Sequence, residues 1–256
     1  MPIIRAAALD LDRTLLNNDK KITGYTKAVL ERCREKGIAL IIATARPPRA
    51  IAEYEAQIRP DAVITMNGAS VSLNGQEKRS AGIDKAEVKR LVRDVERLLP
   101  GRRWSLEAES GLYANFDTAG VWAGPSAPIV TIETIPEESA YKVLVSFEKD
   151  GDAGILRTLL PENTYLEISE GTLGMVIRKE ATKLNGVRAA LEELGIRMEE
   201  TAAFGDDLAD IEMLKACGVG VAVSNALKEV KEAADEITLS NEEDGVARWL
   251  EERAGV

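Results

Sequence analysis

The sequence predicts an α/β protein: a doubly wound, mainly parallel sheet interrupted by an α+β insertion. Three observations carry that expectation. Short apolar runs alternate with helical patterns from residue 3 to about 65, the alternation returns after Lys179, and the stretch between consists of short strands and hairpins. At 256 residues the chain exceeds a typical single domain, so a core carrying a second unit suits its length. The boundaries fall at 1–79 plus 180–256 for the core and 80–179 for the insertion.

The elements follow in order. Ile3 to Leu9 is a continuous apolar run, the mark of a buried parallel strand, and it ends by presenting Asp10 and Asp12. Thr23 or a neighbour can cap a helix to about Lys36 with Val29, Leu30 and Cys33 inward, and Gly37 ends it. Ile38 to Thr44 is a second such strand, leading into Thr44-Ala45-Arg46-Pro47. Pro47 or Pro48 opens a helix to about Ile58, and Ala62 to Thr65 is a third strand before the Met66-Asn67-Gly68-Ala69 turn. This βαβαβ pattern is Rossmann-like.

From about Ser70 the segments shorten. Ala69 to Leu73 and Glu77 to Ser80 flank the hairpin signal Asn74-Gly75, and Asp84 to Leu99 has apolar residues at helical spacing. Strands follow at Trp104 to Glu107, Leu112 to Phe116 and Tyr141 to Phe147, then a helix at Ala153 to Leu160 and paired strands at Thr164 to Ile168 and Met175 to Ile177. The first grammar then resumes. A helix from Lys183 to Leu194 ends at Gly195, and the strand Thr201 to Phe204 runs into Gly205-Asp206-Asp207-Leu208-Ala209-Asp210. A helix to Ala216, a strand from Val219 to Val223, a helix at Leu227 to Ala234, a strand at Ile237 to Leu239 and a last helix to about Glu252 complete the core.

Composition narrows the chemistry. Asp plus Glu number 43 against 33 Lys plus Arg, a net charge of -10, which argues against nucleic acid or an anionic membrane as partner. The chain has no histidine, so every His base, nucleophile or metal ligand is excluded. Cys33 and Cys217 lack metal-ligand spacing and read as small buried hydrophobes. With no signal peptide and no apolar run of membrane-spanning length, the expected location is cytoplasmic.

Alternation along a strand puts residues i and i+2 on one face, so Asp10 and Asp12 share a direction. Either a cation lies between them or they divide acid and base roles, and both readings stand. Asp-x-Asp alone also suits a turn or a helix cap. Thr44 and the cluster Asp206, Asp207 and Asp210 lie at two further strand ends, and Lys183 opens a helix. Taken singly these are a solvated lysine, a cap hydroxyl and a capped helix start, with Arg46 a surface charge. Together they sit where an open parallel sheet gathers its ligands. Hard oxygen ligands suit Mg²⁺, Lys183 and Thr44 suit phosphate oxygens, and a carboxylate there can attack phosphorus to give an aspartyl-phosphate.

Asp10-Leu11-Asp12-Arg13-Thr14, Ile42-Ala43-Thr44-Ala45-Arg46-Pro47, Lys183 and Phe204-Gly205-Asp206-Asp207-Leu208-Ala209-Asp210 resemble the four ordered motifs of haloacid dehalogenase-type phosphatases. The insertion resembles the C2B cap of their subfamily IIB, Cof-like members, as do Met66-Asn67-Gly68-Ala69, Ala222-Val223-Ser224-Asn225-Ala226 and Glu242 to Ala247. The resemblance implies Asp10 as nucleophile and Mg²⁺ ligand, and Asp12 as general acid and base with its carbonyl on the metal. It implies Asp206 as third protein ligand and Asp210 as a nearby acid. Thr44, Lys183 and the Leu11 and Ala45 backbones become phosphate binders, with Asp207, Arg46 and Asn67 supporting.

Three positions depart from the family pattern: Arg13 and Ala45 stand where glycine is usual, and Ala209 where asparagine is usual. The first and last point to slower or narrower catalysis. The expectation is a Mg²⁺-dependent phosphatase of small phosphorylated metabolites such as sugar phosphates, with a cap that closes over the site. Gly111 to Trp122, with Tyr113, Phe116 and Trp122, would form its specificity surface, unless Tyr113 and Phe116 belong to the cap core or a dimer contact. The alternative is a catalytically weak binding or regulatory protein for phosphorylated ligands. A receiver domain would need far less chain. Monomer and homodimer both remain open.

Overall fold

Ala6–Leu9 is the strand around which the first sheet grows. In this computed structural model, which describes residues 3–121, 126–149, 151–169 and 171–256, that strand lies between Thr201–Gly205 and Ala39–Ala43, parallel to both. The eight-stranded order is Glu236–Thr238, Val219–Val223, Thr201–Gly205, Ala6–Leu9, Ala39–Ala43, Ala62–Thr65, Ser70–Leu73 and Gln76–Ser80. The first six are parallel, and Ser70–Leu73 pairs antiparallel with Ala62–Thr65. The chain runs outward from Ala6–Leu9 in one direction and later returns to build in the other. The central strands are apolar on both faces: Ala6, Ala7, Ala8, Leu9, Ile41, Ile42 and Phe204 are fully buried.

Packing divides the chain into two compact units, Met1–Arg79 with Ala181–Val256, and Ser80–Glu180. The second holds an antiparallel sheet in the order Gly111–Ala114, Trp104–Ala108, Ala140–Ser146, Leu173–Arg178, Thr164–Ser169. Helix Lys85–Leu98, capped by Asp84, packs Val88, Leu91, Val92 and Val95 into a core with Trp104, Leu106, Val143, Val145 and Val176. Tyr113 leans on this core, and Arg103 lies 5.3 Å above the Phe116 ring. Trp122 lies outside the described residues.

Three element boundaries moved for identifiable reasons. The first strand begins at Ala6 rather than Ile3, because the registers with Thr201 and Ala39 both start there, and Ile3 is exposed. The helix after Pro47 divides into a 3-10 turn, Pro48–Ala50, and a helix, Ala52–Ile58, since Ile51 leaves helical geometry at φ -122°. The strand expected to reach Phe116 stops at Ala114, where the Asn115 side chain takes over the pairing: it accepts from the Trp104 N–H at 2.8 Å and donates to the Arg102 carbonyl at 3.1 Å. Both cysteines are free and buried, and burial pushes their thiols up, Cys33 to about 11 and Cys217 to about 12. Among the described residues no helix is long and apolar enough to cross a membrane.

Candidate active site

The candidate site lies entirely in the eight-stranded unit, at the carboxyl ends of its central strands. Winding reverses at Ala6–Leu9, and such a switch point leaves a crevice because the connections on its two sides diverge. Asp10 follows Ala6–Leu9, Thr44 follows Ala39–Ala43, and Asp206 follows Thr201–Gly205, whose last residue pairs with Ala222. Lys183 enters from the first turn of helix Lys183–Leu194, whose N-cap Thr182 accepts from the Asn185 N–H. That helix start approaches the Met66–Gly68 turn closely. A Cβ on Gly68, which has φ +102°, would lie 2.1 Å from the Thr182 carbonyl oxygen, and one on Gly186 would lie 2.4 Å from Ile64.

Lys183 donates to Asp10 Oδ1 at 2.7 Å and to Asp210 Oδ1 at 2.6 Å. The other Asp210 oxygen accepts the N–H groups of Asp206 and Asp207, both at 3.1 Å. The two oxygens of Asp210 thus tie the loop to the lysine. Gly205 makes this possible, since a Cβ there would fall 2.4 Å from that of Asp210. Asp206 accepts the Thr14 hydroxyl at 3.1 Å and faces Arg13 at 3.6 Å. Asp10, Asp206, Asp210 and Lys183 are all at most 6% exposed.

Burial is the main cause that pushes Asp10 up to about 7, against Lys183 and with Asp210 and Asp206. Burial and the Asp210 charge push Asp206 up to about 6. Burial disfavours the Lys183 ammonium, but the charges of Asp10 and Asp210 outweigh it and hold the lysine above its ordinary value.

Asp12 goes elsewhere. Arg46 grips it with two hydrogen bonds, Nε to Oδ2 at 2.6 Å and Nη2 to Oδ1 at 2.7 Å, and Lys20 adds a third at 2.7 Å. The Arg46 hydrogen bonds are the largest cause that holds Asp12 at about 2, well below the usual carboxylate range. Tyr54 organises both cations: its ring lies 5.0 Å from the Arg46 guanidinium carbon, and its hydroxyl donates to the Lys20 carbonyl at 3.1 Å. A cation shared by the Asp10 and Asp12 carboxylates does not fit this arrangement. Asp10 instead gathers with Asp206 and Asp210, one oxygen of each lying within 4.8 Å of the others. Three buried hard-oxygen donors at that spacing fit a divalent cation of the Mg²⁺ kind, with Asp10 and Asp206 as the members best placed to ligate, since Asp210 is fixed by the buried Lys183 on one oxygen and two backbone N–H groups on the other, whereas Asp206 faces a hydroxyl and an exposed guanidinium.

The remaining expected residues surround this cluster unevenly. Thr44 is buried, and its hydroxyl accepts the Arg46 N–H at 3.2 Å, leaving its own proton to donate. Among the described residues, the N–H groups of Leu11 and Ala45 donate to no protein acceptor. Asn67 sits at φ +56° with its N–H on the Thr44 carbonyl at 3.0 Å, and its amide oxygen is buried without a partner. Asp207 caps the turn that follows it, and Ala209 is exposed in that turn. Sequence reasoning gave no role to Lys20, to Tyr54 or to Thr14, although Thr14 stands in the first motif, because these residue types carry no signal of their own. It quoted Asn225 without a role, and the structure places that side chain on the Arg13 carbonyl at 2.8 Å.

Comparison with known proteins agrees with this geometry. The haloacid dehalogenase-like hydrolase family profile matches residues 7–250. The chain is 30% identical over 251 residues to the 5-amino-6-(5-phospho-D-ribitylamino)uracil phosphatase YcsE of Bacillus subtilis, covering 96% of this chain and 94% of that protein. Among solved structures, BT4131, described as a HAD subclass IIB sugar phosphatase, superposes with a TM-score of 0.80 at 25% identity, covering 98% of this chain and 100% of the other. TM0651 of Thermotoga maritima shares the fold with a TM-score of 0.89 at 24% identity, over 98% and 97% of the two chains. The chain therefore belongs to the haloacid dehalogenase-like hydrolases, and among them to the subclass IIB, Cof-like phosphatases.

Proposed function

We propose that the chain hydrolyses phosphate monoesters of small metabolites, sugar and sugar-alcohol phosphates foremost, with Mg²⁺ and through an aspartyl-phosphate on Asp10. The observation that carries the reading is the Asp10 carboxylate, buried at a strand end against Lys183 with Asp206 and Asp210 beside it. The Bacillus relative is named for a phosphoribitylamino-uracil and BT4131 for sugar phosphates, which makes polyhydroxylated phosphates the first substrate class to test.

In the first half-reaction an Asp10 oxygen attacks phosphorus, the bond from phosphorus to the leaving oxygen breaks, and Asp12 protonates that oxygen. In the second, Asp12 takes a proton from water, the water oxygen attacks phosphorus, and the acyl-phosphate bond breaks to return Asp10 and inorganic phosphate. Lys183, the Thr44 hydroxyl and the N–H groups of Leu11 and Ala45 hold the phosphate oxygens. Asp10 and Asp206 would hold a divalent cation, which would supply charge neutralisation at the reacting phosphate. Arg46 and Lys20 hold Asp12 in its ionised form, so acting as the acid requires it to part from them and first take up a proton from solvent, the proton that the second half-reaction then returns to it.

The test is phosphate release from an aryl phosphate and a sugar-phosphate panel, with Mg²⁺ and with chelator, for the wild type and Asp10→Asn. Metal-dependent turnover lost in the variant supports the assignment. Turnover that persists at the wild-type rate in Asp10→Asn removes Asp10 as nucleophile.

A further inference from the structure

We propose that Arg13 competes with the divalent cation for Asp206, so that loading the site exchanges a guanidinium for a metal ion. The inference rests on the metal-dependent reading above. Arg13 holds a left-handed conformation at φ +61°, one that most side chains avoid. Its backbone is pinned there: Asn225 donates to its carbonyl at 2.8 Å, and the Asn225 oxygen in turn accepts the Asn241 N–H at 2.9 Å. From that position the Arg13 side chain extends to Asp206, Nε to Oδ2 at 3.6 Å.

The charges of the cluster sort into two sets. Lys183 answers Asp10 and Asp210 together, and being buried it stays in place. Among the described residues, the Asp206 side chain receives a neutral hydroxyl from Thr14 and, besides it, the Arg13 guanidinium. The Arg13 side chain is 59% exposed against 8% for Asp206, so the guanidinium can withdraw into water while the carboxylate cannot. A cation that takes Oδ2 of Asp206, the oxygen facing Arg13, must therefore displace the guanidinium and forfeit that ion pair. Exposed pairs are worth little, and at tenfold per 1.4 kcal/mol the forfeit amounts to about a two- to fivefold weakening of metal affinity.

The experiment is calorimetric titration of the full chain with MgCl₂, without substrate and at low ionic strength, for the wild type, Arg13→Ala and Arg13→Lys. Arg13→Ala keeps a Cβ at the same backbone position, so it differs from the wild type in charge rather than in backbone freedom. The expected result is a dissociation constant about two- to fivefold lower in Arg13→Ala, close to wild type in Arg13→Lys, with the gain shrinking in 0.5 M KCl. Equal or weaker binding in Arg13→Ala, or an equal gain in both variants, overturns the competition. Absence of Mg²⁺ heat in all three, with cooperative unfolding intact, instead overturns the metal reading on which it rests.

Discussion

The Lys183 ammonium stands 2.7 Å from Asp10 Oδ1, although 173 residues separate the two in sequence. It is the buried counter-charge for Asp10 and Asp210 at once. Lys183→Met keeps most of the stem and leaves both carboxylates without it. In chelator the variant should lose about 3 to 5 kcal/mol, the cost of breaking a buried ion pair, and Mg²⁺ should restore part of that. Urea unfolding with and without Mg²⁺ measures both, and a variant as stable as the wild type in chelator contradicts the account.

Gly205→Ala tests the loop that carries Asp206. The added methyl would meet Asp210 at 2.4 to 2.7 Å and push it off Lys183 and off the N–H groups of Asp206 and Asp207. We expect a loss of about 2 kcal/mol together with a fall in phosphate release. Unchanged thermal stability would mean that the loop yields freely.

The acidic cluster also sets a pH dependence. Asp10 and Asp206 are raised from 3.8 to about 7 and about 6, so from about pH 4 to pH 7 the folded chain binds more protons than the unfolded one. Their contribution to stability is present below pH 4 and is lost as pH rises through these values. On the proposed ligation by Asp10 and Asp206, Mg²⁺ displaces those protons, so its stabilisation should be larger at pH 8 than at pH 5. Thermal melts with and without Mg²⁺ at the two pH values decide it, and an equal shift at both would count against Asp10 and Asp206 as ligands.

The other unit has the opposite dependence. Asp152 accepts from Arg102 at 2.7 Å and from the N–H groups of Glu148 and Lys149 at 2.9 and 3.1 Å, and the Arg102 bond is the largest cause that holds it at about 2. This contribution is present above pH 4 and lost as pH falls toward 2. Asp152 is shielded from water yet close to the surface, so Asp152→Asn should cost about 1.5 kcal/mol at neutral pH. The difference from wild type should narrow in acid, as read by chemical denaturation at pH 7 and pH 3.

Much of the core was legible because its signals are local. Continuous apolar runs gave the parallel strands, and helix Lys183–Leu194 has the expected ends because Thr182 caps one and Gly195 takes the left-handed conformation at the other. Asp10, Lys183 and Asp206 were read from the sequence as candidate groups at element ends, and the sheet does bring them together. The grip of Arg46 on Asp12 was not legible. It joins residues 34 positions apart through a choice of side-chain direction that spacing does not specify, and Tyr54, which orders it, is of ordinary type in an ordinary helix. The engagement of both Asp210 oxygens depends on the same kind of detail.

The position of Ala6–Leu9 between a strand made early and a strand made late has a consequence for the growing polypeptide. During translation its Ala39–Ala43 neighbour follows within about forty residues, but Thr201–Gly205 is nearly two hundred residues away. At about 5 to 20 residues per second, one apolar edge of the central strand waits on the order of 10 to 40 seconds for its partner. An open edge of that kind invites pairing with another nascent chain. Ser80–Glu180, contiguous in sequence, is free to fold during that interval, so ribosome pausing before Thr201 should raise aggregation far more than pausing after Gly205.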